Sequence, residues 1–297
     1  MLVVCKQDSR GEMLYDEPLS RHTTWRVGGP AQRFYRPAGS LDLVRFLQSL
    51  PANEPLLWLG MGSNLLVRDG GFMGTVVATQ GCLNGLEFSG GDLLRAEAGV
   101  ACPHVVQAAA RENLCGVEFL AGIPGTIGGA LAMNAGAFGG QIWALVEKVE
   151  TVDRAGTVRQ RVPEDFEINY RKVMGPQGEW FLAAWLRLEQ GETDKSLEKV
   201  RQLLEQRAAT QPIGLPSCGS VFRNPEGDHA ASLIEAAGLK GVSVGGATVS
   251  EKHANFIINA KDATAADIEE LIGVVQQEVE AHSGIKLHTE VCVVGEK

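Results

Sequence analysis

Apolar positions change period several times along the chain, and each change marks an element. Leu43, Phe46, Leu47 and Leu50 recur at helical spacing, predicting a short helix over 41–50 that Pro51 and Pro55 end. Leu56-Leu57-Trp58-Leu59 is an unbroken apolar run closed by Gly60, the pattern of a buried strand. Residues 74–78, 93–98, 146–152 and 181–189 read as further strands, and 103–113 as a helix with Pro103 in its first turn. Thr151-Val152 and Thr157-Val158 flank Asp153-Arg154-Ala155-Gly156, which predicts a hairpin. The first 20 residues carry no clear pattern, and Val27-Gly28-Gly29-Pro30 reads as a turn.

Near residue 193 the pattern turns polar. Residues 194–209 form a helix with Leu197, Val200 and Leu204 on one stripe, followed by a loop rich in Pro and Gly over 212–225. A short helix (230–237), a strand (255–259), a long helix and a final strand (286–294) complete the chain. The long helix is bounded by its own chemistry. Thr264 can N-cap it, Asp267 completes a capping box, Ile268, Leu271, Ile272, Val275 and Val279 share a face, and Gly284 stops it.

Composition narrows the class. The chain has 297 residues, enough for two domains, and its 44% hydrophobic and 21% charged residues fit a globular fold with a substantial core. A net charge of −9 argues against general nucleic-acid binding, though backbone N–H groups can still hold a phosphate locally. No run of 18 apolar residues predicts a membrane span, and the N-terminus does not read as a signal peptide. Cys5, Cys82, Cys102, Cys115, Cys218 and Cys292 form no Cys-x-x-Cys pair, which points to a reducing cytoplasm. The histidines lack metal-ligand spacing, so no zinc site is expected.

Two segments are dense in glycine. Leu59-Gly60-Met61-Gly62-Ser63-Asn64-Leu65-Leu66 follows a predicted strand, where small residues let the main chain approach a diphosphate. It is not the dinucleotide fingerprint, because Leu65 stands at the third glycine position, and a plain tight turn explains it equally well. Ala121-Gly122-Ile123-Pro124-Gly125-Thr126-Ile127-Gly128-Gly129-Ala130 continues to Met133-Asn134-Ala135-Gly136. Its alternative reading is a close helix–sheet contact. Together the two segments suggest a large phosphate-bearing cofactor held by backbone rather than by Lys or Arg.

Motifs in order along nearly the whole chain resemble one family. They are Thr23-Thr24-Trp25-Arg26-Val27-Gly28-Gly29-Pro30, the two glycine segments, Asn134-Ala135-Gly136-Ala137, Ile168-Asn169-Tyr170-Arg171, Ser217-Cys218-Gly219-Ser220-Val221-Phe222-Arg223-Asn224-Pro225 and Gly238-Leu239-Lys240-Gly241. The sequence resembles the UDP-N-acetylenolpyruvoylglucosamine reductases, in the class without an extra tyrosine-bearing lid. Lys172-Val173 and Ala231-Ser232 depart from the usual family pattern.

The resemblance implies an α+β fold. A FAD-binding domain of the vanillyl-alcohol oxidase type, in two subdomains over about 21–78 and 79–192, would follow an N-terminal segment (1–20) and precede a C-terminal α/β substrate-binding domain (193–297). It implies FAD held non-covalently, with NADPH as co-substrate. The implied FAD contacts are Gly60, Gly62, Ser63, Asn64, Leu65, Gly122, Ile123, Gly125, Thr126, Gly128, Gly129, Asn134 and Ala135. Tyr170, Arg171 and Asn224 would meet the enolpyruvyl nucleotide sugar, in a cytoplasmic enzyme with no nucleic-acid partner.

The chemistry explains the choice of catalytic residues. An enol ether conjugated to a carboxylate accepts hydride at its methylene carbon, and charge then builds on the carboxylate. A fixed cation, an acid near the carboxylate and a proton donor for the adjacent carbon are required. The resemblance assigns these roles to Arg171, Glu290 and Ser220. Without it, Arg171 would be a surface ion-pair residue, Glu290 a strand-end glutamate and Ser220 a turn serine. Two other functions stay open: a flavin oxidase of the same fold acting on an alcohol, and a nucleotide-sugar binder without catalysis.

Overall fold

The computed structural model describes residues 10–297, so the expectations for Cys5 and the first nine residues lie outside it. The chain forms two compact units, neither continuous in sequence. The first holds the described residues to Tyr15 with Arg33–Gly60 and Gly74–Val200, and the second holds Asp16–Gln32, Met61–Met73 and Arg201–Lys297.

The first unit is built on a five-stranded antiparallel sheet, ordered Val158–Arg161, Val146–Asp153, Glu179–Arg187, Leu93–Glu97, Leu86–Phe88. Helix α1 (Ser40–Ser49) buries Leu43 and Leu47 with Val77, Leu83 and Val152. Helix α2 (Cys102–Arg111) buries Cys102, Val105, Val106 and Ala109, one helical stripe, in a core shared with Leu94, Ala96, Ala184 and Leu186. Helix α3 (Ile127–Met133) adds Ile127, Ala130 and Leu131 to the same core. The hairpin forms as the turn residues require: Val152 pairs with Val158, and Gly156 takes φ +75°. The strand Leu56–Leu59 pairs in parallel with Phe72–Ala78. Two strands of that sheet, Glu12–Pro18 and Pro30–Arg36, lie where the sequence suggests no strand, because neither alternates between apolar and polar positions.

Helix α4 (Thr193–Thr210) is almost wholly exposed and buries only Ser196. Ser196 donates to the buried Glu118 carboxylate at 2.9 Å, and Lys199 reaches the other oxygen at 3.4 Å. Burial would raise the Glu118 pKa, but backbone N–H bonds, Ser196 and Lys199 outweigh it and hold the carboxyl below its usual range.

In the second unit, helix α5 (Ala230–Ala236) and helix α6 (Ala265–Ser283) pack into a core with Trp25, Phe222 and the sheet Ser243–Val244, Ala247–Val249, Ile257–Asn259. The α6 cap is as predicted: Thr264 Oγ1 accepts from Asp267 N at 3.0 Å, and Asp267 Oδ2 accepts from Thr264 N at 3.0 Å. Asp69 adds a second cap, accepting from the N–H groups of Ala265 and Ala266.

The predicted final strand over 286–294 is shorter than expected. Only Cys292–Val294 is regular, paired in parallel with Leu65–Val67. The preceding residues meet the irregular segment 217–225 through single contacts, so no ladder extends: Arg223 N–H donates to His288 O and Glu290 N–H to Val221 O. Glu290 therefore precedes the strand and is half-buried, not enclosed between two apolar faces. No helix among the described residues is long and apolar enough to cross a membrane.

Candidate active site

Arg171 lies at the tip of a hairpin in the first unit. Asn169 pairs with Lys172, leaving Tyr170-Arg171 as a two-residue turn, and Arg171 takes φ +55°, a left-handed backbone that costs a non-glycine residue about 1–2 kcal/mol. Its Nη2 donates to Gly136 O at 2.7 Å, and its guanidinium lies over the Tyr170 ring at 5.5 Å. Asn134, φ +42°, secures the adjoining loop. Its Nδ2 donates to Gln141 Oε1 and Asn169 O. That side chain fastens the Asn134–Gly136 turn to the Arg171 hairpin. Ala135 N–H is likewise committed internally, to Ala130 O.

Ser220 and Glu290 come together in the second unit. Gly219, φ +79°, precedes Ser220, and Ser220 Oγ makes no hydrogen bond to another group among the described residues. Val221, the next residue, accepts the Glu290 N–H at 2.8 Å. Asn64 holds the same stretch from its other side: Asn64 Nδ2 donates to Glu290 O at 3.0 Å, and Asn64 O accepts from Cys292 N. Cys218 is a core residue. Burial first, and the Glu290 charge second, push its thiol well above the usual value. Asn224 caps α5, accepting from Ala230 N at 3.1 Å.

Gly60, which belongs to the first unit, meets the second glycine segment there. A Cβ on Gly60 would lie 2.4 Å from Thr126 Oγ1. The close-contact alternative drawn for the second segment applies at one of its glycines and not at the next. A Cβ on Gly128 would strike Ala98 Cβ at 2.9 Å, a close helix–strand contact, whereas Gly129 meets only Thr126 Oγ1 at 3.8 Å. Gly60, Gly128 and Gly129 line a cavity of about 270 Å³. Its lining also carries aromatic rings, with Trp58 stacked on Trp180 at 5.2 Å and Phe166 beside Phe181. These rings escape sequence reading because Trp58 and Phe181 count there only as strand apolar residues.

The cavity is large enough for only part of a dinucleotide, and two polar atoms in this region call for a polar ligand. Thr126 Oγ1 and Trp58 Nε1 are buried without hydrogen-bond partners, an expensive state that a polar ligand would relieve. Gly62 and Leu65 belong to the second unit, where Leu65 is buried in a strand and can offer only main-chain groups. Gly60→Ala should place a methyl group against the Thr126 hydroxyl and weaken FAD binding about tenfold, the overpacking cost of roughly 1–3 kcal/mol. Fluorescence titration of the apoprotein with FAD measures this; unchanged affinity would take the Gly60–Thr126 contact out of the cofactor site.

Comparison with known proteins decides the family. Residues 31–160 match the FAD binding domain, and residues 211–294 match the UDP-N-acetylenolpyruvoylglucosamine reductase, C-terminal domain. The UDP-N-acetylenolpyruvoylglucosamine reductase of Alkalilimnicola ehrlichii is 59% identical over 296 residues, covering 100% of this chain and 99% of that protein. The chain belongs to the UDP-N-acetylenolpyruvoylglucosamine reductase family. The reductase of the same name from Methylococcus capsulatus is 58% identical, over 97% of this chain and 95% of its own. The crystal structure of the Thermus caldophilus reductase superposes with a TM-score of 0.82 at 35% identity, over 96% of this chain and 98% of that one. The fold is accordingly α+β, a FAD-binding domain joined to a reductase C-terminal domain.

Proposed function

We propose that the protein uses NADPH and FAD to reduce UDP-N-acetylglucosamine enolpyruvate to UDP-N-acetylmuramate, a step of peptidoglycan precursor synthesis. One observation carries this reading: a relative bearing the reductase name matches 100% of the chain at 59% identity. When bound, FAD takes two electrons from NADPH and supplies hydride to the enolpyruvyl methylene carbon.

The side chains of this protein manage the remaining charge and proton. Arg171 binds the substrate carboxylate through its planar fork and stabilises the charge gathering there. Glu290 donates a hydrogen bond to that carboxylate when it is in its protonated, neutral form, since an ionised carboxylate could only accept. Ser220 Oγ delivers a proton to the carbon next to the one that receives hydride, so hydride and proton add across the double bond and nothing leaves. Tyr170 and Asn224 line the sugar-nucleotide side. The main chain at Gly60, Gly62, Ser63, Asn64, Leu65, Gly122, Ile123, Gly125, Thr126, Gly128, Gly129, Asn134 and Ala135 surrounds the cofactor. The reading includes modules at 1–20, 21–78, 79–192 and 193–297, a cytoplasmic location consistent with scattered cysteines, and no nucleic-acid partner, consistent with a charge of −9.

An absorbance spectrum tests the function. The purified protein should be yellow, bleach on addition of NADPH and recover colour when the enolpyruvyl sugar follows. Bleaching without recovery, or turnover of a simple alcohol with oxygen instead, would replace the proposed reaction with that of another flavoenzyme. A colourless protein that binds no FAD would leave only nucleotide-sugar binding.

A further inference from the structure

We infer that Asn255 is a positioning residue that sets where the Ser220 hydroxyl points; the inference rests on the proton-donor role proposed for Ser220. Ser220 sits at a junction between a loose and a fixed stretch of backbone. On its N-terminal side is Gly219, at φ +79° with open space where a Cβ would be. Glycine imposes little preference there, so the link from the buried Cys218 to the serine is the loose one. On its C-terminal side the backbone is held at every step.

Asn255 makes most of those holds. Its carbonyl accepts from Val221 N at 2.9 Å. Its side chain then acts as a length of strand: Oδ1 accepts from Phe222 N at 2.9 Å and Nδ2 donates to Phe222 O at 2.8 Å. Asn255 is buried, and it lies in a loop before the strand Ile257–Asn259, so no regular ladder could do this in its place. A buried asparagine with both ends of its amide satisfied has one orientation available.

The opposite edge of the same two residues faces Glu290. Val221 O accepts the Glu290 N–H, and Phe222 forms an isolated bridge with Thr289. Residues 221–222 are thus clamped between Asn255 and the segment carrying Glu290. The clamp begins one residue after Ser220, and it fixes the register of Ser220 against Glu290. Loosening it would shift the hydroxyl without touching the cofactor-binding cavity of the first unit.

The experiment follows the two half-reactions of the holoenzyme by stopped-flow absorbance in Asn255→Asp, Asn255→Ala, Ser220→Ala and the double variant Ser220→Ala/Asn255→Asp. Asn255→Asp keeps the acceptor for Phe222 N–H and turns the donor into an acceptor facing Phe222 O. Reoxidation of the reduced flavin by the enolpyruvyl sugar should fall roughly 10–100-fold, the scale of a misplaced reacting group. Flavin reduction by NADPH and FAD content should stay near wild type. The double variant should be no slower than Ser220→Ala alone, because Asn255 acts through the hydroxyl that is already gone. Additive losses in the double variant, or equal slowing of both half-reactions, would overturn the inference. Loss of FAD from both Asn255 variants would do so too, making Asn255 a folding residue. If Ser220→Ala itself leaves reoxidation unchanged, the proton-donor reading fails first and takes the inference with it.

Discussion

Ser220→Ala should leave reduction of the flavin by NADPH close to wild type and slow its reoxidation by the enolpyruvyl sugar about 10²–10⁴-fold, the usual contribution of a positioned proton donor. A serine hydroxyl is a weak acid in water, so the role demands a strongly basic intermediate and a site that keeps water out. Ser220 is partly buried, flanked by Gly219 and the clamped Val221, and its Oγ has no hydrogen-bond partner among the described residues. The substitution therefore removes one oxygen without orphaning another group, and the melting temperature should move little. Ser220→Cys, which restores a donor at the same place, should recover part of the rate. Single-turnover absorbance measurements separate the two steps. Equal loss in both would mean that Ser220 serves the whole site, and a reoxidation rate within about threefold of wild type would give the proton to another group.

What the sequence made legible is what it writes locally. Helix α6 could be read to the residue because its cap, capping box, apolar face and stop all lie within 21 consecutive residues of each other, and each acts on its own turn. The hairpin ending at Gly156 was legible for the same reason. The strand carrying Glu290 was misread because alternation over 286–294 describes a potential strand, whereas a strand exists only where a partner does, and regular pairing begins at Cys292. The second unit collects residues 16–32, 61–73 and 201–297, and no local periodicity announces such a grouping. Among the glycines that line the cavity, sequence density could not tell Gly128, where a Cβ would strike Ala98, from Gly129, where there is room. Asn64 shows the same limit. Its place in a glycine loop gives no sign that its Nδ2 also holds the Glu290 carbonyl. Arg171, Ser220 and Glu290 came from the order of family motifs, since each type alone is ordinary on a protein surface.

Arg171→Ala should slow the same reoxidation step about 10²–10³-fold, the loss seen when one preorganised stabiliser of developing charge is removed. Lysine should recover only part of this, because it keeps the charge and loses the two-point fork. Backbone geometry adds a second, independent readout. Arg171 holds φ +55°, which alanine tolerates poorly and glycine readily. Alanine and glycine at 171 both lose the bond to Gly136 O and the contact with Tyr170, so the difference between them isolates the backbone. Arg171→Gly should match Arg171→Ala in rate but melt several degrees higher, about 1–2 kcal/mol spread over a chain of this size. A glycine variant that melts no higher would mean that the hairpin relaxes when the guanidinium leaves, and that the left-handed turn is imposed by the side chain. A reoxidation rate untouched in both would take Arg171 away from the substrate carboxylate altogether, leaving its fork to hold Gly136 and nothing more.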